Sequence, residues 1–198
     1  RRSPISVAMK AMTTDALVDE AFIVVYVVSY NSKYEVKLNG VTVSYTTPED
    51  ATAGDADVPA VVAGLVSAIN GAGGAAANCV ATAVGSGVHV TLVTSITVSG
   101  GPQESAIYAF TDKVSDLGKL PVQCTNNFKV KVVNSESILA DDMWVKFVTS
   151  NAQANGVGAW EESNAPGIQY KLDPLTMPHQ LVRTADGSFS YSAVDWVT

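Results

Sequence analysis

The sequence predicts a mainly β fold with one helix, of the α+β class, built from two small β-rich modules. Short runs rich in Val, Ile and Tyr are separated by Gly, Asn and Pro along most of the chain, as in strands joined by turns. The dipeptide Asn39-Gly40 stands between two alternating runs, and both central residues of a type I′ hairpin turn need a positive φ. Apolar residues recur at helical spacing in one segment, 58–69.

The first module is predicted to span residues 21–115 and to follow a connector at residues 1–20. Its opening strand, 21–30, is apolar along its whole length, which indicates burial on both faces. The two arms of the hairpin, 34–38 and 41–46, alternate in polarity, so each is expected to bury one face.

The helix of this module is predicted at about 57–70. Asp55 or Asp57 is suited to cap its first turn, and Pro59 fits there because that turn leaves its N–H groups unpaired. Gly71 is expected to end the helix. Further strands are predicted at 79–84, 88–93 and 96–98, with a strand or bend at 105–114.

The second β-rich module is predicted at residues 116–198. Its strand segments are 128–133, 143–148, a run beginning at 156, 168–172, 180–183 and 188–191. Residues 160–183, the signature segment, combine Trp, Met and His with Pro and Gly, which favours a fixed irregular path over a helix or a long strand. Because the chain ends in an apolar-rich stretch, we expect this module to be truncated at its C-terminus and the chain to be a piece of a longer protein.

The composition limits the class of partner. Of the 198 residues, 47% are hydrophobic and 16% are charged, and the net charge is −7. A charge content below the usual quarter indicates that partners cover part of the surface. The acidic balance argues against binding nucleic acid by neutralising its phosphates. The longest apolar run, 21–28, has about eight residues, whereas a membrane-spanning helix needs roughly 20.

The two cysteines, Cys79 and Cys124, lack the close spacing of a metal or redox motif. Two buried free thiols is the favoured interpretation. A disulfide between them stays open.

No catalytic, cofactor-binding or metal-ligating constellation is predicted. His89 and His179 have no ligand cluster around them, so each is expected to hydrogen-bond a backbone group. Ser86 lies in a turn between two strands, whereas a hydrolase nucleophile elbow joins a strand to a helix. Glu161 and Glu162 are adjacent, so in an extended segment they point to opposite sides and do not form a carboxylate pair.

Four acids crowd the loop before the helix: Glu49, Asp50, Asp55 and Asp57. Their spacing is not that of a calcium loop, so a solvated loop that caps the helix is favoured. The tryptophans Trp144, Trp160 and Trp196 are suited to stack on sugars, but such residues more often anchor a core or an interface.

The order of the motifs resembles a known family. After strands 130–133 and 144–147 come Gly158-Ala159-Trp160-Glu161-Glu162, Pro166-Gly167, Leu172-Asp173, Thr176-Met177-Pro178-His179, Leu181-Val182-Arg183 and Asp186-Gly187-Ser188-Phe189. The hairpin 34–45 and the end of the helix, 65–70, are similar to a repeat in the same proteins. The chain resembles the tail nozzle protein of short-tailed bacteriophages, also called tail tubular protein B, most specifically in the signature segment.

The resemblance implies a virion structural protein rather than an enzyme, as part of a larger multi-module tail protein without a cofactor. It implies a homo-oligomeric ring, a hexamer, that contacts a tail adaptor and tail fibre proteins. DNA is expected to pass through its channel without specific binding, and no membrane span is expected. The structural and interface signature falls on Trp144, Trp160, Glu161, Pro166, Met177, Pro178, His179 and Arg183.

Two other functions stay open from the residues alone. The Trp and Tyr content and the scattered carboxylates are compatible with a virion-borne carbohydrate-binding or polysaccharide-cleaving module. The weaker pattern of the first module is compatible with a β-rich, adhesin-like host-surface module.

Overall fold

A computed structural model describes the backbone of residues 9–13, 19–133, 143–166, 168–172, 179–183 and 185–193. Side chains are described within 19–133 and 143–166 and at 181, 183 and 185–190. The chain divides into two compact units, one formed by Leu17–Ala165 and the other by Arg1–Ala16 with Pro166–Thr198. The predicted fold class is confirmed, because the described elements are mostly strands and include one α-helix.

The strands in chain order are β1 (Met9–Thr13), β2 (Glu20–Val25), β3 (Lys33–Leu38), β4 (Val41–Thr46), β5 (Val80–Val84), β6 (Gly87–Thr91), β7 (Ile96–Gly100), β8 (Ile107–Phe110), β9 (Lys113–Val114), β10 (Gln123–Thr125), β11 (Lys129–Val132), β12 (Met143–Thr149), β13 (Asn155–Ser163), β14 (Ile168–Leu172), β15 (His179–Arg183) and β16 (Phe189–Ala193). The helix α1 spans Val58–Asn70, and short 3₁₀ turns cover Gly74–Ala76 and Leu117–Lys119.

The unit Leu17–Ala165 contains three sheets, with strand orders β5-β6-β2-β8, β4-β3-β7 and β10-β13-β12-β11-β9. Their paired strands are antiparallel, except that β9 and β11 are parallel. The predicted module boundary at 115/116 falls inside this unit, and β9 pairs with β11 across it. Where the modules divide in the longer protein stays a prediction.

Strand β2 separates two apolar clusters. Ala21, Ile23 and Val25 face the cluster that includes the buried side of α1 and the hairpin β3–β4. Phe22 and Val24 face the other cluster, which includes buried residues of β11 and β12. Because alternate residues of a strand point to opposite faces, a strand buried on both sides must be apolar throughout. The prediction of two-sided burial is confirmed for this strand.

The hairpin β3–β4 forms as the sequence predicts. Asn39 and Gly40 have φ values of 49° and 87°, as a type I′ turn requires. The apolar residues pair across the strands as Tyr34↔Tyr45, Val36↔Val43 and Leu38↔Val41.

Helix α1 packs on this hairpin and on the β2 sheet. The Asp57 carboxylate accepts a 2.8 Å hydrogen bond from the Ala60 N–H, which caps the first turn, and Pro59 lies in that turn. The helix buries one stripe: Val61, Val62, Leu65 and Ile69. It ends at Gly71 as predicted, although the φ of Gly71 is −90° and its N–H donates to the Ser67 carbonyl.

One prediction about the first 30 residues was wrong. Strand β2 ends at Val25 instead of residue 30, because the N–H groups of Tyr26 and Val27 both turn to the Ala106 carbonyl and leave the ladder. The segment predicted as a connector, residues 1–20, contains the strand β1, whose partner β14 lies far along the chain, and its role as a connector stays a prediction.

The second compact unit contains two described antiparallel ladders. β1 pairs with β14 from Met9↔Leu172 to Thr13↔Ile168, and β15 pairs with β16 from His179↔Ala193 to Arg183↔Phe189. Among the described residues of the whole chain, no helix is both long enough and apolar enough to cross a membrane.

Candidate functional site

The predicted signature residues are distributed over both compact units. The described ones are Trp144 on β12, Trp160 and Glu161 on β13, Pro166 just after β13, and His179 and Arg183 at the two ends of β15. Met177, Pro178 and Trp196 lie outside the described residues. That these positions form an interface therefore stays a prediction. The side-chain contacts of Trp144 and Trp160 are described on the five-stranded sheet that carries them.

Trp160 is an internal anchor of the five-stranded sheet. Its half-buried ring meets the fully buried Phe147 ring edge-on at 5.2 Å, directly across the β12–β13 pair. Its indole Nε1 donates a 2.8 Å hydrogen bond to the Pro121 carbonyl. Because buried Trp N–H groups need an acceptor, this bond fixes the segment before β10 against the sheet. Because the Trp160 ring packs on Phe147 and its nitrogen donates to Pro121, its position does not support the hypothesis that it stacks on a sugar.

Trp144 and Glu161 lie on the opposite, outer face of the same sheet. Trp144 stands across from Lys131 on one side, and Glu161 stands across from Lys146. Glu162 lies across from Val145, a core-facing position, so the two adjacent glutamates point to opposite faces as alternation predicts. Both are exposed, and their side chains do not converge on one reacting atom.

His89 has a carboxylate partner, so the predicted backbone partner was wrong. Its Nε2 lies 2.9 Å from Oε2 of Glu20, which is 69 positions earlier, and its ring meets the Phe128 ring edge-on at 5.8 Å. The register places His89 opposite Phe22, so Glu20 is its diagonal neighbour on the adjacent strand. The pair is thus a cross-strand contact that the local sequence around His89 does not show.

The cysteines are free and buried, as favoured from the sequence. Burial, with a smaller contribution from the Glu20 carboxylate, raises the pKa of the Cys124 thiol to about 12, although a backbone hydrogen bond at Thr125 lowers it. Burial also raises the pKa of Cys79. A catalytic thiol needs a lowered pKa, so neither cysteine is activated as a nucleophile by its surroundings.

The acidic loop, residues 48–57, is ordered by its own side chains. The Asp50 carboxylate accepts hydrogen bonds from Thr52 Oγ1 and from the Thr52 and Ala53 N–H groups, and the bonds from Thr52 lower its pKa most. Asp57 caps α1, as described above. Within the part of the chain that the structure describes, no group of three or more His, Cys, Asp or Glu side chains is arranged to hold a metal ion.

Asn39 is a structural centre that the sequence identifies only as a turn residue. Its Oδ1 accepts from Thr94 N, Thr94 Oγ1 and Ser95 N, at 2.8, 3.0 and 3.3 Å. Its Nδ2 donates to the Ala75 and Leu92 carbonyls, both at 3.3 Å. One side chain therefore joins the hairpin turn to two separate loops, and nothing in its local sequence could have shown those loops to be near.

The side-chain contacts described above serve core packing, helix capping and cross-strand pairing. Residues 3–198 match the family described as bacteriophage nozzle protein. The chain belongs to this family, which confirms the resemblance and makes it a structural component of the phage tail, located in the virion.

A curated relative agrees with this assignment. The chain is 30% identical over 119 residues to Tail tubular protein gp12 of Escherichia phage T7. The match covers 57% of this chain and 14% of that protein. The chain therefore spans a small part of the length of this relative.

Proposed function

We propose that the chain is one part of a nozzle protein that assembles as a homo-oligomeric ring, a hexamer, around the channel through which the phage ejects its DNA. The observation that carries the proposal is the family match over residues 3–198. The T7 relative is named a tail tubular protein, which supports a tubular assembly. The tail adaptor and the tail fibre proteins are the proposed neighbours in the virion.

The charge of the chain suits the wall of a DNA conduit. With 12 basic and 19 acidic residues, the net charge is −7 at pH 7. A wall of the same sign as DNA repels the phosphates and does not release counterions by binding them, so DNA slides past without being held. The proposed role is mechanical and not enzymatic, and it needs no cofactor.

The packing suits a part that must keep its shape. Strand β2 is buried on both faces between two clusters, so the elements on either side pack against the same strand. Trp160 fixes the segment at Pro121 to the five-stranded sheet through its hydrogen bond. A ring that guides DNA under pressure needs such cross-connections, because a module with a single loosely attached hairpin would deform.

The test uses a phage whose nozzle gene carries a stop codon and a host that supplies the full-length protein. Without the protein, we expect particles with an incomplete tail and a loss of infectivity of at least a hundredfold. With a protein carrying a bulky added domain, cryo-electron microscopy should show extra density on the tail. Infectious particles with normal tails in the absence of the protein would overturn the proposal.

The ring order is tested separately by native mass spectrometry of the purified full-length chain. Six copies per particle are expected. A stable ring of another order would overturn the hexamer but leave the tail role intact.

A further inference from the structure

A cluster of lysines covers the outer face of the five-stranded sheet. We call it the lysine face; it consists of Lys113 on β9, Lys129 and Lys131 on β11, and Lys146 with Trp144 on β12. The register gives the row Lys113–Lys131–Trp144 across three neighbouring strands and, two residues along, the pair Lys129–Lys146. Core-facing residues between them, such as Val130 and Val145, are buried on the other side.

The lysine face is a local exception in an acidic chain. It holds 4 of the 12 basic residues, so the remainder carries 8 basic against 19 acidic residues, a net charge of −11. Neighbouring strands are about 4.8 Å apart, and like charges directly opposite each other on a sheet are destabilising. One such pair is Lys129↔Lys146, with Glu161 across from Lys146 on its other side and the Lys129 ammonium donating to the Asn164 carbonyl at 3.4 Å. Lys131 has an interaction partner within the chain. Lys113, Lys129 and Lys146 form no ion pair with the described residues, and three such ammonium groups on one face fit an anionic partner.

The acidic loop provides an anion of matching size. Its residues Glu49, Asp50, Asp55 and Asp57 are exposed, and no Lys or Arg lies among them. The base of the loop is fixed, because buried Thr47 donates its hydroxyl to the Ser29 carbonyl at 2.7 Å. The hydrogen bonds within the loop that hold Asp50 also stabilise its charged form. Two of the four carboxylates, Asp50 and Asp57, are therefore held by hydrogen bonds, and Glu49 and Asp55 are exposed beside them.

We propose that the lysine face of one copy receives the acidic loop of the neighbouring copy when the chain assembles. The contact joins two different surfaces, so it is heterologous, and a heterologous contact that closes on itself produces a ring. Trp144, half-buried among the lysines, would pack on the apolar parts of the loop, such as Pro48. This inference rests on the proposed ring and assigns its subunit contact.

A second copy fits this face better than DNA does. DNA is a long polyanion, and the residues of the chain outside the lysine face carry a net charge of −11, which opposes its binding. The acidic loop is compact, carries four carboxylates, and stands on every copy of the chain. Electrostatic matching of this kind fixes register and partner choice more than it adds affinity.

The experiment reverses charge in the full-length chain. The face variant is Lys113→Glu with Lys129→Glu, and the loop variant is Glu49→Lys with Asp55→Lys; both avoid Asp50 and Asp57, which hold the loop and the helix. Each variant alone should lose at least nine-tenths of the assembled species in sedimentation velocity at about 0.15 M salt. A mixture of the two, and a chain carrying all four changes, should assemble again.

The control variant is Lys33→Glu with Lys37→Glu, which changes the net charge equally on β3 and should assemble like the unaltered protein. Unfolding midpoints of all variants within a few degrees of the unaltered chain show that lost assembly is not lost folding. Assembly of the face variant at the level of the unaltered chain would overturn the inference, as would a mixture of folded variants that stays monomeric.

Cross-linking separates this inference from the proposed function. Copies carrying Lys129→Cys and copies carrying Asp55→Cys should form an intermolecular disulfide under mild oxidation, since Cys79 and Cys124 are buried and do not compete. Rings without this cross-link would overturn the contact and leave the ring intact. A full-length chain that never forms rings would overturn both. Salt-sensitive DNA binding lost in the face variant, with rings unchanged, would assign the lysine face to DNA instead.

Discussion

The indole Nε1 of Trp160 lies 2.8 Å from the carbonyl oxygen of Pro121, to which it donates a hydrogen bond. The bond joins strand β13 to a segment 39 positions earlier, while the Trp160 ring packs edge-on against Phe147. The same side chain thus supplies an apolar body to the core and a polar tip to the backbone. These two contributions can be separated by substitution.

Replacing Trp160 by Phe keeps a ring against Phe147 but leaves the Pro121 carbonyl without its donor. We expect the free energy of unfolding to fall by about 1 kcal/mol from the lost hydrogen bond. Trp160→Ala also removes the ring and should cost about 3 kcal/mol, near the low end for Trp truncation because the side chain is only half-buried. Urea unfolding measures both. Equal losses in the two variants would show that the hydrogen bond carries the effect and the ring contact little.

Asn39 should be among the most sensitive polar positions. Asn39→Ala removes the hydrogen bonds to the loops at Ala75 and at residues 92–95. It also places alanine at a φ of 49°, a left-handed backbone conformation that alanine adopts less readily than asparagine does. We expect a loss of about 2–3 kcal/mol in the free energy of unfolding, measured by urea titration.

The matched controls for Asn39 are Gly and Asp. Asn39→Gly keeps the left-handed backbone at no strain, so any loss it shows comes from the side-chain hydrogen bonds. Asn39→Asp keeps the acceptor for Thr94 and Ser95 but removes the donors, and it should lie between the unaltered chain and Ala. A Gly variant as stable as the unaltered chain would show that the side-chain network contributes nothing.

The sequence predicts those features that depend on neighbours along the chain. The period-two pattern and Asn39-Gly40 determine the hairpin β3–β4, and Asp57 with its apolar stripe determines α1. Features that depend on distant pairing are not predictable in this way. The register that places Glu20 beside His89 joins strands far apart in the chain, and the register that places Lys129 beside Lys146 depends on the long connection between β11 and β12. A single sequence does not encode either in a local pattern.

In the candidate site, too, residue types and alternation could be predicted from the sequence, whereas contacts between distant strands could not. Trp160 was predicted as an anchor from its residue type, and it packs on Phe147, but its acceptor Pro121 lies 39 positions earlier and no local pattern links the two segments. The alternation of β11 predicts that Lys129 and Lys131 share a face. That Lys113 and Trp144 join them depends on the pairing of β9 and β12 with β11. The interface role of the signature residues stays a prediction.

Gly64 should not tolerate a side chain. It lies in α1 against the ring of Tyr45, and a Cβ at this position would overlap the ring atoms Cγ and Cδ2. Alanine gains about 1 kcal/mol of helix propensity, but overpacking in a filled site costs about 1–3 kcal/mol, so the overlap should win. We expect Gly64→Ala to lower the melting temperature, and Gly64→Ala with Tyr45→Leu to be less destabilised than the two single losses added together. Strict additivity would place the cost elsewhere than in the Tyr45 contact.

Cys124 makes stability depend on pH in the alkaline range. Its folded pKa of about 12 lies above the ordinary value of 9.0, so between these values the unfolded chain has lost a proton that the folded chain keeps. The retained proton stabilises the folded chain fully below pH 9. This contribution to the free energy of unfolding falls as the pH rises towards 12, by up to about 4 kcal/mol for three pKa units.

Cys124→Ala removes the titrating thiol and leaves a small cavity, so this variant should be less stable than the unaltered chain at pH 7.5. The gap should narrow by about 2 kcal/mol at pH 10.5, measured by urea unfolding under reducing conditions. Other alkaline titrations act on both proteins and cancel in the difference, so a gap that is constant from pH 7.5 to 10.5 would show that the Cys124 thiol titrates alike in the folded and unfolded chains.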